Sequence, residues 1–113
     1  MSDLTAEDAK LVTLARATRA RTGAAEGAAI RDADGRTYAA ATVALPSLAV
    51  SALQVCVAMA VAGGSQGLEA AVVLGDASEL APADLAALSE LAGPGVVVHR
   101  GDARGTIAST STT

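Results

Sequence analysis

The chain has 113 residues and a formal net charge of −4, which suits one domain and argues against nucleic acid as its main partner. Hydrophobic residues make up 51% of the sequence but Tyr38 is its only aromatic residue, so a monomer would have a thin core and packing between subunits is expected. No apolar run reaches the roughly 20 residues of a membrane span, and the polar start predicts no signal peptide. The single cysteine, Cys56, excludes an intrachain disulfide. A cytoplasmic location is therefore expected.

The first half of the chain predicts a helix followed by a β-hairpin. Thr5 and the acidic residues after it resemble a capping box, and apolar residues then recur at helical spacing until Gly23 ends the helix. The Asp34-Gly35 pair is a strong hairpin signal, so residues 27–33 and 36–43 are expected to pair as antiparallel strands.

The second half predicts helices that alternate with strands. Pro46-Ser47 ends the second strand and introduces an apolar helix. The elements that follow are a helix over 51–62, a strand over 68–74, a helix from Pro82 to the Gly93-Pro94-Gly95 break, a strand at 96–98 and a weak strand at 105–108. The strand over 68–74 is an unbroken apolar run, which is typical of a strand covered on both faces.

The element order α-β-β-α-β-α-β, with an optional last strand, predicts an α/β fold in three layers, α-β-α, around one mixed sheet. No linker is long enough to divide the chain, so residues 1–108 are expected to form a single domain. Residues 109–113 are polar and are expected to form a flexible tail.

This order, together with Gly27-Ala28-Ala29 and the Asp34-Gly35 turn, resembles the small homotetrameric cytidine deaminases over roughly residues 10–100. In that family one helix starts with C-A-E-R, the next helix starts with P-C-x-x-C-R-Q, and an N-x-E strand precedes both. Here Ser51-Ala52-Leu53-Gln54 falls on the first motif, and Ala81 and Asp84 fall on the two cysteines of the second. Ala40 and Thr42 fall near the N-x-E strand and are candidate residues lining a ligand pocket.

The resemblance implies a catalytic zinc site, but these residues do not supply its chemistry. Such a site needs three nitrogen, sulfur or oxygen ligands with an open position for water, and a deaminase adds a glutamate that moves protons. Ser51 is a poor ligand, Ala81 cannot bind a metal, and Asp84 is a single carboxylate. Leu53 cannot transfer a proton. We therefore expect no zinc, no other cofactor and no catalytic residue for deamination.

Structural roles explain the same positions. Ser51 with Gln54 fits a capping box, Leu53 fits a core residue that seals the former site, and Asp84 fits a first-turn acid on a helix dipole. Cys56 is expected to be a small buried hydrophobic residue, and His99 a solvated strand end rather than a metal ligand.

Three functions remain open. The favoured one is a catalytically inactive deaminase-like protein, a pseudoenzyme, that acts as an oligomeric interaction or scaffold protein. The others are a protein that binds nucleosides or nucleotides, and an atypical cytidine deaminase. The helix over 51–62 is apolar all round and must be covered on every side. We therefore expect a homodimer or homotetramer whose subunits contact each other at or near this helix. An unidentified protein partner is also compatible with this surface, whereas a nucleic acid or a membrane is not expected.

Overall fold

The computed structural model describes residues 4–113, so the first three residues of the predicted domain lie outside the described part. Three helices and seven strands occur within residues 4–113. In chain order they are α1 (Ala6–Thr22), β1 (Gly27–Asp32), β2 (Thr37–Ala41), β3 (Val43–Leu45), β4 (Leu48–Val50), α2 (Ala52–Ala62), β5 (Leu68–Leu74), α3 (Pro82–Ala92), β6 (Val97–Gly101) and β7 (Ile107–Thr112). No helix in this range is long and apolar enough to cross a membrane.

Five strands form one mixed sheet in the order β2-β1-β5-β6-β7, and β3 pairs with β4 in a separate two-stranded sheet. Strands β5 and β6 run parallel, whereas the other neighbours in the large sheet are antiparallel. The central strand, β5, is buried at every residue except Glu69, as the apolar run at 68–74 predicted.

Helices cover both faces of the large sheet, which confirms the predicted three-layer α/β architecture. Helix α1 packs on one face, where Leu11 and Ala15 join Val72 in a buried cluster. Helices α2 and α3 lie on the other face, where Leu53 and Leu88 belong to a second buried cluster. The sheet therefore separates two hydrophobic cores.

Local signals in the sequence explain the first three elements. The Thr5 hydroxyl accepts a hydrogen bond from the backbone N–H of Asp8 at 3.0 Å, which caps α1. Gly23 ends the helix with a φ of 67°, a left-handed conformation that glycine adopts without strain. The predicted hairpin is confirmed, since β1 and β2 pair antiparallel and Gly35 turns the chain between them with a φ of 86°.

Two of the predicted segments adopt a different secondary structure. Pro46-Ser47 does not lead straight into a helix, because the residues around it fold into the β3–β4 hairpin. The segment 109–113, predicted to be a flexible tail, instead supplies most of β7, which pairs antiparallel with β6. Its β-branched threonines favour an extended strand, and the Thr113 hydroxyl donates to the Gly93 carbonyl at 2.5 Å.

Candidate functional site at the starts of helices α2 and α3

Two of the residues singled out in the sequence meet where α2 and α3 begin. Ser51 is the N-cap of α2, and Asp84 lies in the first turn of α3, 33 residues later. The Ser51 hydroxyl donates a hydrogen bond to Asp84 Oδ1 at 2.6 Å. The same hydroxyl oxygen accepts from the backbone N–H of Gln54 at 3.1 Å. Ser51 therefore caps one helix and ties its start to the next.

Burial and helix dipoles both strengthen this contact. Asp84 is 4% exposed, and a hydrogen bond to a carboxylate is stronger where water is excluded. The carboxylate sits in the first turn of α3 and contacts the cap of α2, so it lies near the positive ends of two helix dipoles. This position suits a negative charge without a metal ion.

The other two motif positions hold side chains without polar atoms. Leu53 is fully buried and belongs to the core cluster that also contains Cys56 and Leu88. Ala81 is exposed and is the N-cap of α3, where it makes no side-chain cap hydrogen bond. Neither residue can bind a metal ion or carry a proton.

The donor set therefore does not fit a catalytic zinc. Tetrahedral zinc ligands lie about 2.0–2.2 Å from the metal, which places neighbouring ligand oxygens about 3.4 Å apart. The oxygens of Ser51 and Asp84 are 2.6 Å apart and share a proton, so the metal would first have to break their bond. Within residues 4–113, no group of three or more His, Cys, Asp and Glu side chains is arranged to hold a metal ion.

The two residues proposed to line a pocket are also engaged in the fold. Ala40 is 6% exposed and belongs to the core on the α2 face. The Thr42 hydroxyl accepts from the backbone N–H of Glu26 at 3.0 Å and donates to the Glu26 carbonyl at 3.3 Å. Thr42 therefore closes the ends of two strands instead of presenting a free hydroxyl to a ligand.

Cys56 is a buried free thiol. Its Sγ lies 3.6 Å from the Tyr38 carbonyl, and burial raises the pKa of the thiol to about 12. A thiol with such a pKa stays protonated at neutral pH and is a poor nucleophile and a poor metal ligand. The expectation that Cys56 packs as a small hydrophobic residue agrees with this environment.

One polar cluster that the sequence did not indicate supports the β1–β2 hairpin. Hydrogen bonds from the Ser65 and Tyr38 hydroxyls reach Asp32 Oδ2 at 2.5 Å and 2.9 Å. These bonds, together with those from the backbone N–H groups of Arg36 and Asp34, lower the pKa of Asp32 to about 2. Ser65 contributes the largest part of this shift, and the cluster joins the loop after α2 to the hairpin.

His99 is not the solvated strand end that the sequence predicted. It is 5% exposed, and its Nε2 lies 2.9 Å from Asp8 Oδ2 while its Nδ1 lies 2.9 Å from the Thr110 hydroxyl. The error has a physical cause, since His99 pairs with Thr110 of β7 and also contacts Asp8 in the first turn of α1. The neighbouring Arg100 is also buried, and its Nε donates to the Ala77 carbonyl at 2.6 Å.

Comparison with known proteins gives two kinds of match. A family model described as cytidine deaminase-like matches residues 4–105. The cytidine deaminase from Burkholderia pseudomallei superposes with a TM-score of 0.78 at 22% identity, over 97% of this chain and 92% of that one. The cytidine deaminase from Mycobacterium leprae gives a TM-score of 0.73 at 23% identity, over 96% of this chain and 94% of that one. The search of curated proteins finds no match.

Proposed function

The chain belongs to the cytidine deaminase-like family, and we propose that it is a member without deaminase activity that acts as an oligomeric interaction protein. The hydrogen bond between Ser51 and Asp84 is the observation that carries this proposal. It joins two positions that the family resemblance assigns to zinc ligands. Leu53 adds to it, because a fully buried leucine stands where the resemblance places the proton-transferring acid.

The surface of α2 supports the oligomeric part of the proposal. Helix α2 has no charged residue, and two of its large side chains remain exposed, Met59 by 38% and Val61 by 55%. A shallow cavity of about 260 Å³ lies between α2 and α3; Val57, Val61 and Leu91 give it apolar walls, and the polar residue Glu90 also lines it. An apolar surface of this kind on a small domain is typical of a protein–protein contact.

The β3–β4 hairpin, which directly precedes α2 in the chain, also carries exposed apolar side chains. Leu45 and Leu48 flank its turn and are 59% and 53% exposed. Strand β4 leads directly into Ser51, the N-cap of α2. We propose that a second copy of the chain covers both the hairpin and α2, in a homodimer or a homotetramer. A different protein would be recognised by the same apolar side chains. The buried free thiol of Cys56 fits a reducing compartment such as the cytoplasm.

Light scattering coupled to gel filtration tests the oligomeric state. One chain has a mass of 11.0 kDa, so we expect about two or four times this mass at micromolar concentration. Val61→Asp places a charge in the exposed apolar surface and should shift the mass toward that of one chain. Ala17→Asp is the matched control, because it adds the same charge to the exposed side of α1. A mass near that of one chain for the unaltered protein would contradict the proposal.

Two further assays test the loss of chemistry and the absence of a nucleoside site. Ammonia release from cytidine or deoxycytidine should not exceed that of a blank without protein, and a protein-dependent release would contradict the proposal. A thermal-shift screen with nucleosides and nucleotides should leave the melting temperature unchanged. A saturable rise in the melting temperature would instead favour ligand binding, because a ligand that binds only the folded state stabilises it.

A further inference from the structure

A cavity lies on the α1 face of the sheet, away from Ser51 and Asp84. It has a volume of about 840 Å³ and sits beside α1, over strands β6 and β7. Asp8 from α1, His99 from β6 and Thr110 from β7 all line it. This volume lies in the range of pockets that hold small molecules.

The three side chains form a continuous chain of hydrogen bonds. His99 Nε2 lies 2.9 Å from Asp8 Oδ2, and His99 Nδ1 lies 2.9 Å from Thr110 Oγ1. An ionised carboxylate can only accept, so Nε2 carries the imidazole proton and donates it to Asp8. When Nδ1 carries no proton it is an acceptor, and the Thr110 hydroxyl then donates a hydrogen bond to it.

Arg31 holds the Asp8 carboxylate in place and stabilises its charged form. Arg31 donates to Asp8 Oδ1 at 2.9 Å and to Glu69 at 2.7 Å, which fixes the guanidinium between two carboxylates. Burial favours the protonated form of Asp8, but the hydrogen bonds from His99 and Arg31 and the charge of Arg31 outweigh it, so the pKa of Asp8 lies below its usual value. The carboxylate can therefore fix both the tautomer and the orientation of His99.

The three hydrogen-bonded side chains differ in their exposure to solvent, as a reactive hydroxyl requires. The side chains of Asp8 and His99 are 8% and 7% exposed, whereas Thr110 lies on the exposed strand β7. The base is thus shielded from water and the hydroxyl is accessible from the cavity. A hydroxyl that is hydrogen-bonded to a base, with the base oriented by a third group, is activated for nucleophilic attack.

We infer that Asp8, His99 and Thr110 form an acyl-transfer site that cleaves small uncharged esters. Thr110 Oγ1 attacks the ester carbonyl carbon and forms a C–O bond, while its proton passes to His99 Nδ1. The tetrahedral intermediate then breaks the bond to the leaving alcohol, which takes that proton from His99. Water repeats the two steps on the acyl-threonine, releases the carboxylic acid and restores the hydroxyl.

The lining of the cavity determines the substrate class. Asp8 and His99 are the titratable side chains on its described wall, and the charge of Asp8 is already paired with Arg31. Val97 and Ile107 give the wall an apolar part that suits a short acyl chain. Thr5 and Asp8 line the cavity, so the N-terminal end of α1, which is the positive end of its dipole, lies beside it and favours the negative charge that develops on the carbonyl oxygen.

Hydrolysis of p-nitrophenyl acetate and p-nitrophenyl butyrate by the unaltered protein tests the inference. Thr110→Val keeps the shape of the side chain and removes the hydroxyl, and it should lower the protein-dependent rate about 100-fold, as should His99→Gln. Thr110→Ser should retain activity. Thr112→Val is the matched control, because Thr112 is two residues further along the same strand and should keep the full rate.

Covalent labelling separates this mechanism from nonspecific ester cleavage. A fluorophosphonate should attach to Thr110 in the unaltered protein, as located by peptide mass mapping, and this adduct should be absent from His99→Gln. Circular dichroism melts show whether each variant is folded. If Thr110→Val hydrolyses the esters as fast as the parent, or if the parent carries no adduct on Thr110, the inference is overturned. These readouts do not involve oligomerisation or deamination, so they are independent of the proposed function.

Discussion

Replacing Leu53 with glutamate is the sharpest test of whether the position that the family resemblance assigns to the proton-transferring acid is sealed. Leu53 is fully buried among the apolar side chains between α2 and the sheet. The Leu53→Glu variant would place a carboxyl group there without any arranged metal or cation. Burial disfavours the charged form of a carboxyl group and raises its pKa, in documented cases to about 8–9. The variant should therefore fold with the new side chain protonated.

The pH dependence of unfolding follows from this shift. An unfolded glutamate has a pKa of about 4.3, so above that pH the unfolded state releases a proton that the folded state retains. Stability is then lost as pH rises from about 4.3 to the folded pKa, by about 1.36 kcal/mol for each pH unit. Between pH 5 and pH 7 the variant should lose about 2.7 kcal/mol, provided that the folded pKa exceeds 7. This is about a fifth to a half of the 5–15 kcal/mol that is typical of a small domain.

Urea unfolding at pH 5 and pH 7 measures the loss, and Leu53→Gln is the matched control. Glutamine has the same shape and buries a similar polar group without titrating, so it corrects for lost packing and for the pH dependence of the rest of the protein. The difference between the two variants should be small at pH 5 and large at pH 7. If Leu53→Glu and Leu53→Gln are equally stable at both pH values, the position is open to water and a ligand pocket becomes the better interpretation.

Substitutions at three other positions test contacts that hold the site and the fold. Ser51→Ala removes the α2 cap and leaves Asp84 without its donor, so it should cost about 2–3 kcal/mol in urea unfolding, more than the roughly 1 kcal/mol of an ordinary N-cap. Gly27→Ala should be destabilising by about 1–3 kcal/mol because its new methyl group would overlap a carbonyl of α1, whereas Gly67→Ala, whose methyl group would lie 3.6 Å from its neighbour, should have little effect. The pKa of Asp32 is lowered to about 2, so the stability that its ionised form contributes is present above its usual pKa of 3.8 and lost as pH falls toward 2. The Asp32→Asn variant should therefore lose less stability than the parent over this pH range, as measured by unfolding at a series of pH values.

Features set by neighbouring residues could be predicted from the sequence. The Thr5 and Ser51 caps depend on bonds to backbone groups three residues away, so spacing alone indicates them. The Asp34-Gly35 turn is equally local. The fold class followed from these signals together with the order of the elements.

Contacts between distant segments could not be predicted in the same way. His99 looked solvated because its partner Asp8 lies 91 residues away and β7 was expected to end early. A strand is defined by its partner more than by its own sequence, which also explains why the β3–β4 hairpin was missed. Ser51 and Asp84 were each explained by their own helix, and nothing local indicated the bond between them.

The zinc content of the purified protein tests the central claim most directly. The protein is incubated with excess zinc, dialysed against metal-free buffer and measured by elemental analysis, with the protein concentration taken from amino-acid analysis. The bond between Ser51 and Asp84, and the apolar side chains of Leu53 and Ala81, lead us to expect far less than one zinc per chain. Retention of about one zinc per chain would show that these helix starts still hold a metal, and it would contradict the claim.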